Sequence, residues 1–94
     1  MKMRKLKYCP YGRTYATVDE HGAISLVSYS TTVIVIDPMG WLTCTGTYSR
    51  TTIRHISAFM KEYTNLTYQD AKNAFRGNHA INIYTGEIQP LGEG

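Results

Sequence analysis

The sequence has little of what several protein classes require. Only two of its 94 residues are cysteines, Cys9 and Cys44, and no C-x-x-C pair occurs. Its three histidines, His21, His55 and His79, lack the spacing of metal ligands. Neither a disulfide framework nor a zinc site is therefore predicted, and we expect both thiols to stay reduced. No metal and no cofactor are expected.

Long apolar runs are also missing. No stretch approaches the roughly 18 apolar residues that a transmembrane helix needs. The first ten residues contain basic side chains but no apolar segment like that of a secretory signal. We therefore expect no contact with a membrane and a location in the cytoplasm.

Acidic residues are few, and they are absent from the start of the chain. Residues 1–13 carry five cations, so of the formal net charge of +3 the remaining chain carries 3 − 5 = −2. The sequence thus predicts a basic arm on a nearly neutral body. Such an arm can contact nucleic acid or simply keep the protein soluble. Its cations are Lys2, Arg4, Lys5, Lys7 and Arg13.

Sequence signatures of catalysis are absent as well. Neither a glycine-rich phosphate loop nor a G-x-S-x-G motif occurs. Cys44 and His55 are a nucleophile–base pair that the sequence leaves open, but nothing in it places them together. We therefore predict no enzyme and no catalytic residues.

The clearest element is a helix within residues 48–63. Ser49 is a suitable N-cap, and an apolar stripe with helical spacing follows, formed by Ile53, Ile56, Phe59, Met60 and Tyr63. A polar line on the other side carries Arg50, Arg54, Ser57 and Lys61. His55 falls at the edge of the stripe, where a histidine is expected to form local hydrogen bonds. Hydroxyls and cations at the positive end of a helix can hold an anion, although they can also be only a cap and a solvated face. The candidate binding residues are Tyr48, Ser49, Arg50, Thr51, Thr52, Arg54, His55 and Lys61.

The rest of the chain predicts an α+β fold. Alternating, β-prone runs at 14–18, 23–29, 32–37, 41–48 and 80–84 indicate an antiparallel β-meander of about four to five short strands. Val33 to Ile36 is apolar on both faces and should be the central strand, and Asp37-Pro38-Met39-Gly40 predicts a tight turn after it. The meander should pack against the main helix and a second, short helix that begins with a capping-box pattern of Thr67 and Asp70 and ends at Gly77. We expect a basic arm at 1–13, one domain at 14–88 and a flexible tail at 89–94. An exposed strand edge would also allow a homodimer.

Two stretches resemble a small uncharacterised protein family of bacteriophages and prophages. They are Tyr29-Ser30-Thr31-Thr32-Val33 and the run from Gly46 to Phe59, which contains Tyr48-Ser49-Arg50-Thr51-Thr52-Ile53-Arg54-His55-Ile56. The resemblance covers roughly residues 24–60 and rests on a Tyr-Ser-x-Thr-Thr-x-Arg-His-like run that leads into a helix. It implies a phage accessory protein in a bacterial cytoplasm. Many such proteins block host defence components, including CRISPR effectors, or sequester their nucleotide signals.

Three hypotheses of function follow. The first is a non-enzymatic, anti-CRISPR-like inhibitor that binds a host defence protein or a nucleotide. The second is a small nucleic-acid-binding regulator that uses the basic arm and the face formed by Arg50, Arg54 and Lys61. The third is a phage structural or assembly protein. Salt separates the first two, because binding to phosphates weakens steeply as salt rises.

Overall fold

The computed structural model describes residues 2–10, 12–45 and 50–91. Seven antiparallel strands form one sheet in which each strand lies beside its sequence neighbours. Two helices, α1 (Arg50–Tyr63) and α2 (Tyr68–Arg76), come between the fifth and sixth strands. The strands are β1 (Lys2–Lys5), β2 (Thr14–Val18), β3 (Ile24–Ser28), β4 (Thr31–Ile36), β5 (Trp41–Cys44), β6 (His79–Asn82) and β7 (Ile88–Pro90).

The α+β class and the antiparallel meander were predicted, but the predicted number of strands was too low. The two additional strands are the sheet edges β1 and β7, which come from the predicted arm and from the boundary of the predicted tail. Every residue of both strands is exposed. A strand without a buried side shows no alternation of apolar and polar residues, so its sequence carries little signal.

Both helices cover the same face of the sheet. α1 packs near β3, and α2 packs on β5 and β6. The core between these layers contains Leu26, Ile34 and Leu42 from the sheet and Phe59 from α1, all fully buried. β4 lies at the centre of the sheet, as its apolar sequence predicted. Leu6, just after β1, is also buried in this core and fixes the N-terminal segment against the domain.

The buried side of α1 is rotated relative to the predicted stripe. Ile56, Phe59 and Met60 are buried as expected, but Ile53 is only half-buried. Thr52 and His55 instead complete the buried side. His55, expected at the border with local hydrogen bonds, therefore points into the domain. The polar line of Arg50, Arg54, Ser57 and Lys61 is exposed, as its spacing predicted.

α2 begins with a complete capping box. The Thr67 side chain accepts from the Asp70 backbone N–H, and the Asp70 carboxylate accepts from the Thr67 backbone N–H at 2.8 Å. Asp70 also places a negative charge in the first turn, where the helix dipole favours it. Gly77 ends the helix, as predicted.

Candidate functional site

His55 lies in a hydroxyl cage beneath the start of α1. Its side chain is almost fully buried, with 3% of the residue exposed. Ser28 Oγ lies 2.9 Å from Nδ1, and Thr14 Oγ1 lies 2.8 Å from Nδ1 and 2.9 Å from Nε2. A neutral imidazole has one N–H donor and one acceptor, and hydroxyls can do either, so the cage suits both tautomers. The partners are 41 and 27 residues away in the chain, not local.

This surrounding favours the neutral ring. Burial, and to a smaller extent the charge of the adjacent Arg54, lower the pKa of His55 below its ordinary value. Removal from water and a nearby like charge both disfavour the imidazolium. His55 therefore offers the interior a neutral hydrogen-bonding ring near pH 7.

A tight turn places an aromatic ring beside this histidine. Ser28 and Thr31 pair across β3 and β4, so Tyr29 and Ser30 form a two-residue hairpin loop. Both have positive φ, 50° and 73°, as a type I′ turn requires. The Tyr29 backbone N–H donates to Arg13 O at 2.9 Å, and its ring centroid lies 5.7 Å from that of His55.

A bulge accompanies the turn. The pairing of β3 with β4 shifts between Leu26 and Val27, which leaves Val33 without a partner across the ladder. β-bulges bend a strand and often lie next to functional sites, where they redirect a side chain.

A cavity of about 350 Å³ opens where these elements meet. That volume lies within the range of small-molecule sites in proteins. His55 and Cys9 are its buried members, whereas the other lining residues are exposed. We call it the His55 cavity, and its lining consists of Tyr8, Cys9, Gly12, Tyr29, Thr51, Arg54 and His55.

The structure brings only part of the predicted binding set to this cavity. Thr51, Arg54 and His55 line it. Thr52 is buried, whereas Arg50 is exposed and is not a lining residue of the cavity in the described part of the chain. Tyr48 and Ser49 lie outside the described residues.

Lys61 lies two turns further along α1 than Arg54. Its ammonium sits over the Tyr8 ring, 4.5 Å from the centroid, and Tyr8 itself lines the cavity. Lys61 is therefore a neighbour of the cavity rather than part of its wall.

Sequence reasoning missed the residues that other segments supply. Tyr8, Cys9 and Gly12 come from the link between β1 and β2, and Tyr29 comes from the β3–β4 turn. No pattern in the sequence indicated that Tyr29 and His55 lie close together, because their contact depends on the packing of α1 beside β3.

Cys9, rather than Cys44, shares the cavity with His55. Both cysteines are buried. The prediction that the protein has no catalytic residues stays a prediction. Within the described residues, no group of three or more His, Cys, Asp or Glu side chains could share a metal ion.

A larger depression, of about 510 Å³, lies where the two helices meet, between Ser57 and Gln69. The N-terminus of α2 borders it, but the capping box already places the Asp70 carboxylate there. Lys61 is its only charged lining residue among those described. The His55 cavity joins an aromatic ring, a guanidinium and a buried histidine, so it is the stronger candidate site.

No helix in the described part of the chain is both long and apolar enough to cross a membrane.

Comparison with curated proteins and with solved structures found no match. Residues 3–77 match a protein family described as a family of unknown function, DUF8033. The matched range includes both helices, strands β2 to β5 and most of β1, and with them every residue that lines the His55 cavity. The chain therefore belongs to the DUF8033 family.

Proposed function

We propose that this protein is a non-enzymatic binding protein, and that the His55 cavity holds a small ligand that joins a planar ring to an anionic group. A nucleotide has this chemistry. The observation that carries the proposal is that an aromatic residue, Tyr29, and a cationic residue, Arg54, line the same cavity. Aromatic faces stack on planar rings, and guanidinium groups bind phosphate through two parallel hydrogen bonds.

His55 and its cage give this cavity a fixed polar base. The ring is held by Thr14 and Ser28, so it needs no ligand to be satisfied. A neutral imidazole at the base can exchange a hydrogen bond with a ligand without the cost of burying a charge. The charged group of the ligand would instead bind Arg54, an exposed residue of the cavity lining.

The biological setting of the proposal comes from the phage-family resemblance. In it, the protein acts in a bacterial cytoplasm as an inhibitor of host defence. A ligand-binding cavity favours capture of a nucleotide signal over occlusion of a CRISPR effector, because capture requires an internal site.

The test uses two arginines of α1, one turn apart. Arg54 lines the cavity and Arg50 does not, and both are exposed. We expect Arg54→Ala to weaken binding of ribonucleoside monophosphates, measured by calorimetry, by about tenfold, as for loss of about 1.4 kcal/mol. Arg50→Ala should bind like the wild type. Equal affinities for all three proteins, or no binding by the wild type, would refute the proposal.

A second candidate function is a nucleic-acid-binding regulator. It is favoured by lysine and arginine side chains that are not paired with carboxylates in the described part of the chain. None of the described Lys and Arg side chains forms an ion pair with a carboxylate of the described chain. Lys2 and Arg4 stand exposed on the edge strand β1. This function predicts that Lys2→Gln/Arg4→Gln weakens binding to single-stranded DNA in a salt-dependent manner, whereas Lys72→Gln on α2 does not.

A further inference from the structure

Four cations gather around the His55 cavity, although only one of them is on its wall. Arg54 lines the cavity. The Lys5 ammonium donates to the backbone carbonyl of Gly12 at 2.8 Å, and Gly12 is a lining residue. The ammonium groups of Lys7 and Lys61 lie 5.4 and 4.5 Å from the ring centroid of Tyr8, another lining residue. We call Lys5, Lys7, Arg54 and Lys61 the cationic rim.

No carboxylate of the described residues forms an ion pair with a side chain of the cationic rim. Glu62 lies beside the rim, where its carboxylate accepts from the Lys7 backbone N–H at 2.6 Å. The Asp19, Asp37 and Asp70 carboxylates are bound to backbone N–H groups in two turns and a helix cap. Glu62 therefore offsets part of the charge of the rim, and its four cations leave an excess of positive charge at the cavity in the part of the chain that the structure describes.

The rim is also held in place. Lys5 lies over the Tyr15 ring at 4.6 Å from its centroid in addition to its bond to Gly12. Cation–π contacts restrain the long lysine side chains, so a ligand that binds them costs less side-chain ordering. Like charges held around one opening raise its potential and attract a polyvalent anion more strongly than a monovalent one.

We propose that the ligand of the His55 cavity is a nucleotide that carries two or more phosphate groups. The inference rests on the proposed function, since the ring would occupy the cavity beside Tyr29. The first phosphate would contact Arg54, and the further ones would reach Lys5, Lys7 and Lys61 on the rim. Such a ligand is either a free nucleoside polyphosphate or the end of a single-stranded oligonucleotide.

The test compares AMP, ADP, ATP and a four-nucleotide single-stranded DNA by calorimetry. We expect affinity to rise by about tenfold or more from AMP to ATP, equivalent to about 1.4 kcal/mol. Lys5→Gln and Lys61→Gln should each reduce this rise, because they lower the affinity for ATP more than the affinity for AMP. Lys72→Gln, on α2, is the control and should keep the full rise. Circular dichroism of each variant verifies that these substitutions leave the fold intact.

The outcomes separate the two proposals. Equal affinity for AMP and ATP in the wild type, or an unchanged rise in both rim variants, would overturn the polyphosphate inference and leave the cavity proposal standing. Failure of every nucleotide to bind would overturn both. Tighter binding of the oligonucleotide than of ATP, with a steeper salt dependence, would identify a strand end as the source. Tighter binding of ATP would identify a free nucleotide.

Discussion

Three hairpin turns of the same sheet are built in two different ways. The β2–β3 and β4–β5 turns both read Asp-x-x-Gly, with Asp19 and Gly22 in one and Asp37 and Gly40 in the other. In each, the glycine takes the positive φ, 90° or 93°, and its N–H donates to the carbonyl of the aspartate. Each carboxylate accepts two backbone N–H groups, at 2.8 and 2.9 Å in the first turn and at 2.9 Å twice in the second.

The β3–β4 turn has neither an aspartate nor a glycine. Tyr29 and Ser30, two residues with side chains, adopt left-handed conformations that glycine and asparagine favour. Such conformations cost energy, and proteins tend to keep them where a side chain must be held in a particular place. Here the turn holds the Tyr29 ring beside His55 at the mouth of the cavity. The two Asp-x-x-Gly turns therefore suit stability, whereas the β3–β4 turn suits the placement of the Tyr29 ring. We call the β3–β4 turn the positioning turn.

The largest effect on stability is expected from removal of His55, the histidine beside the β3–β4 turn. His55→Leu would leave the buried Thr14 and Ser28 hydroxyls without the ring that they contact. Each unsatisfied buried hydroxyl costs about 1–3 kcal/mol, so for the two together we expect the free energy of unfolding to fall by about 2–6 kcal/mol. Urea denaturation measures it. His21→Leu, at an exposed site, is the control and should change stability by less than about 0.5 kcal/mol.

A smaller loss is expected when an Asp-x-x-Gly turn loses its glycine. Gly22 has a positive φ, and an added Cβ would meet nothing within 4 Å. Gly22→Ala therefore isolates the backbone cost, which we expect to be about 1–2 kcal/mol by urea denaturation. A neutral result would show that a left-handed residue with a side chain costs nothing in this sheet, and the interpretation of the Tyr29-Ser30 turn would lose its basis.

The reverse change should stabilise the positioning turn. Tyr29→Asn/Ser30→Gly installs the favoured type I′ sequence, and we expect a gain of about 1 kcal/mol in the free energy of unfolding together with loss of nucleotide binding. Ser30→Gly alone should give part of the gain and keep binding, because it retains the ring. If the double variant binds like the wild type, Tyr29 has no role in the site.

The smallest effect is a pH dependence of stability from His55. Its pKa in the folded protein lies below the ordinary 6.5, so between these values the unfolded chain binds more protons than the folded one. The stability that the protein gains from keeping His55 neutral is fully present above pH 6.5. It is lost as the pH falls from 6.5 toward the folded-state pKa of His55. Urea midpoints between pH 7.5 and 5.5 should decline in wild type and in His21→Asn/His79→Asn alike. A flat profile in that double variant would assign the decline to the other histidines.

The sequence was sufficient for features that depend on neighbours in the chain. The capping box of Thr67 and Asp70 was visible, as was the Asp37–Gly40 turn. Both follow from side chains that bond backbone groups within a few residues.

The candidate site could be predicted only in part, because it depends on contacts across the fold. Helical periodicity identified Phe59 and Met60 as buried, but it left His55 at the border. The hydroxyls that allow His55 to be buried lie on β2 and β3, and nothing local indicates them. Tyr8 and Gly12 follow a strand whose exposed residues gave no alternation to detect.

Binding of a nucleotide in the His55 cavity can be followed residue by residue when ¹⁵N-labelled protein is titrated with ATP. Two-dimensional NMR reports every backbone amide at once, so it assumes no site in advance. We expect saturable shifts concentrated at Gly12, Tyr29, Thr51, Arg54 and His55, with α2 unaffected. Saturable shifts centred on α2 and its approach from Thr64 to Gln69, or no saturable shifts at all, would contradict this expectation.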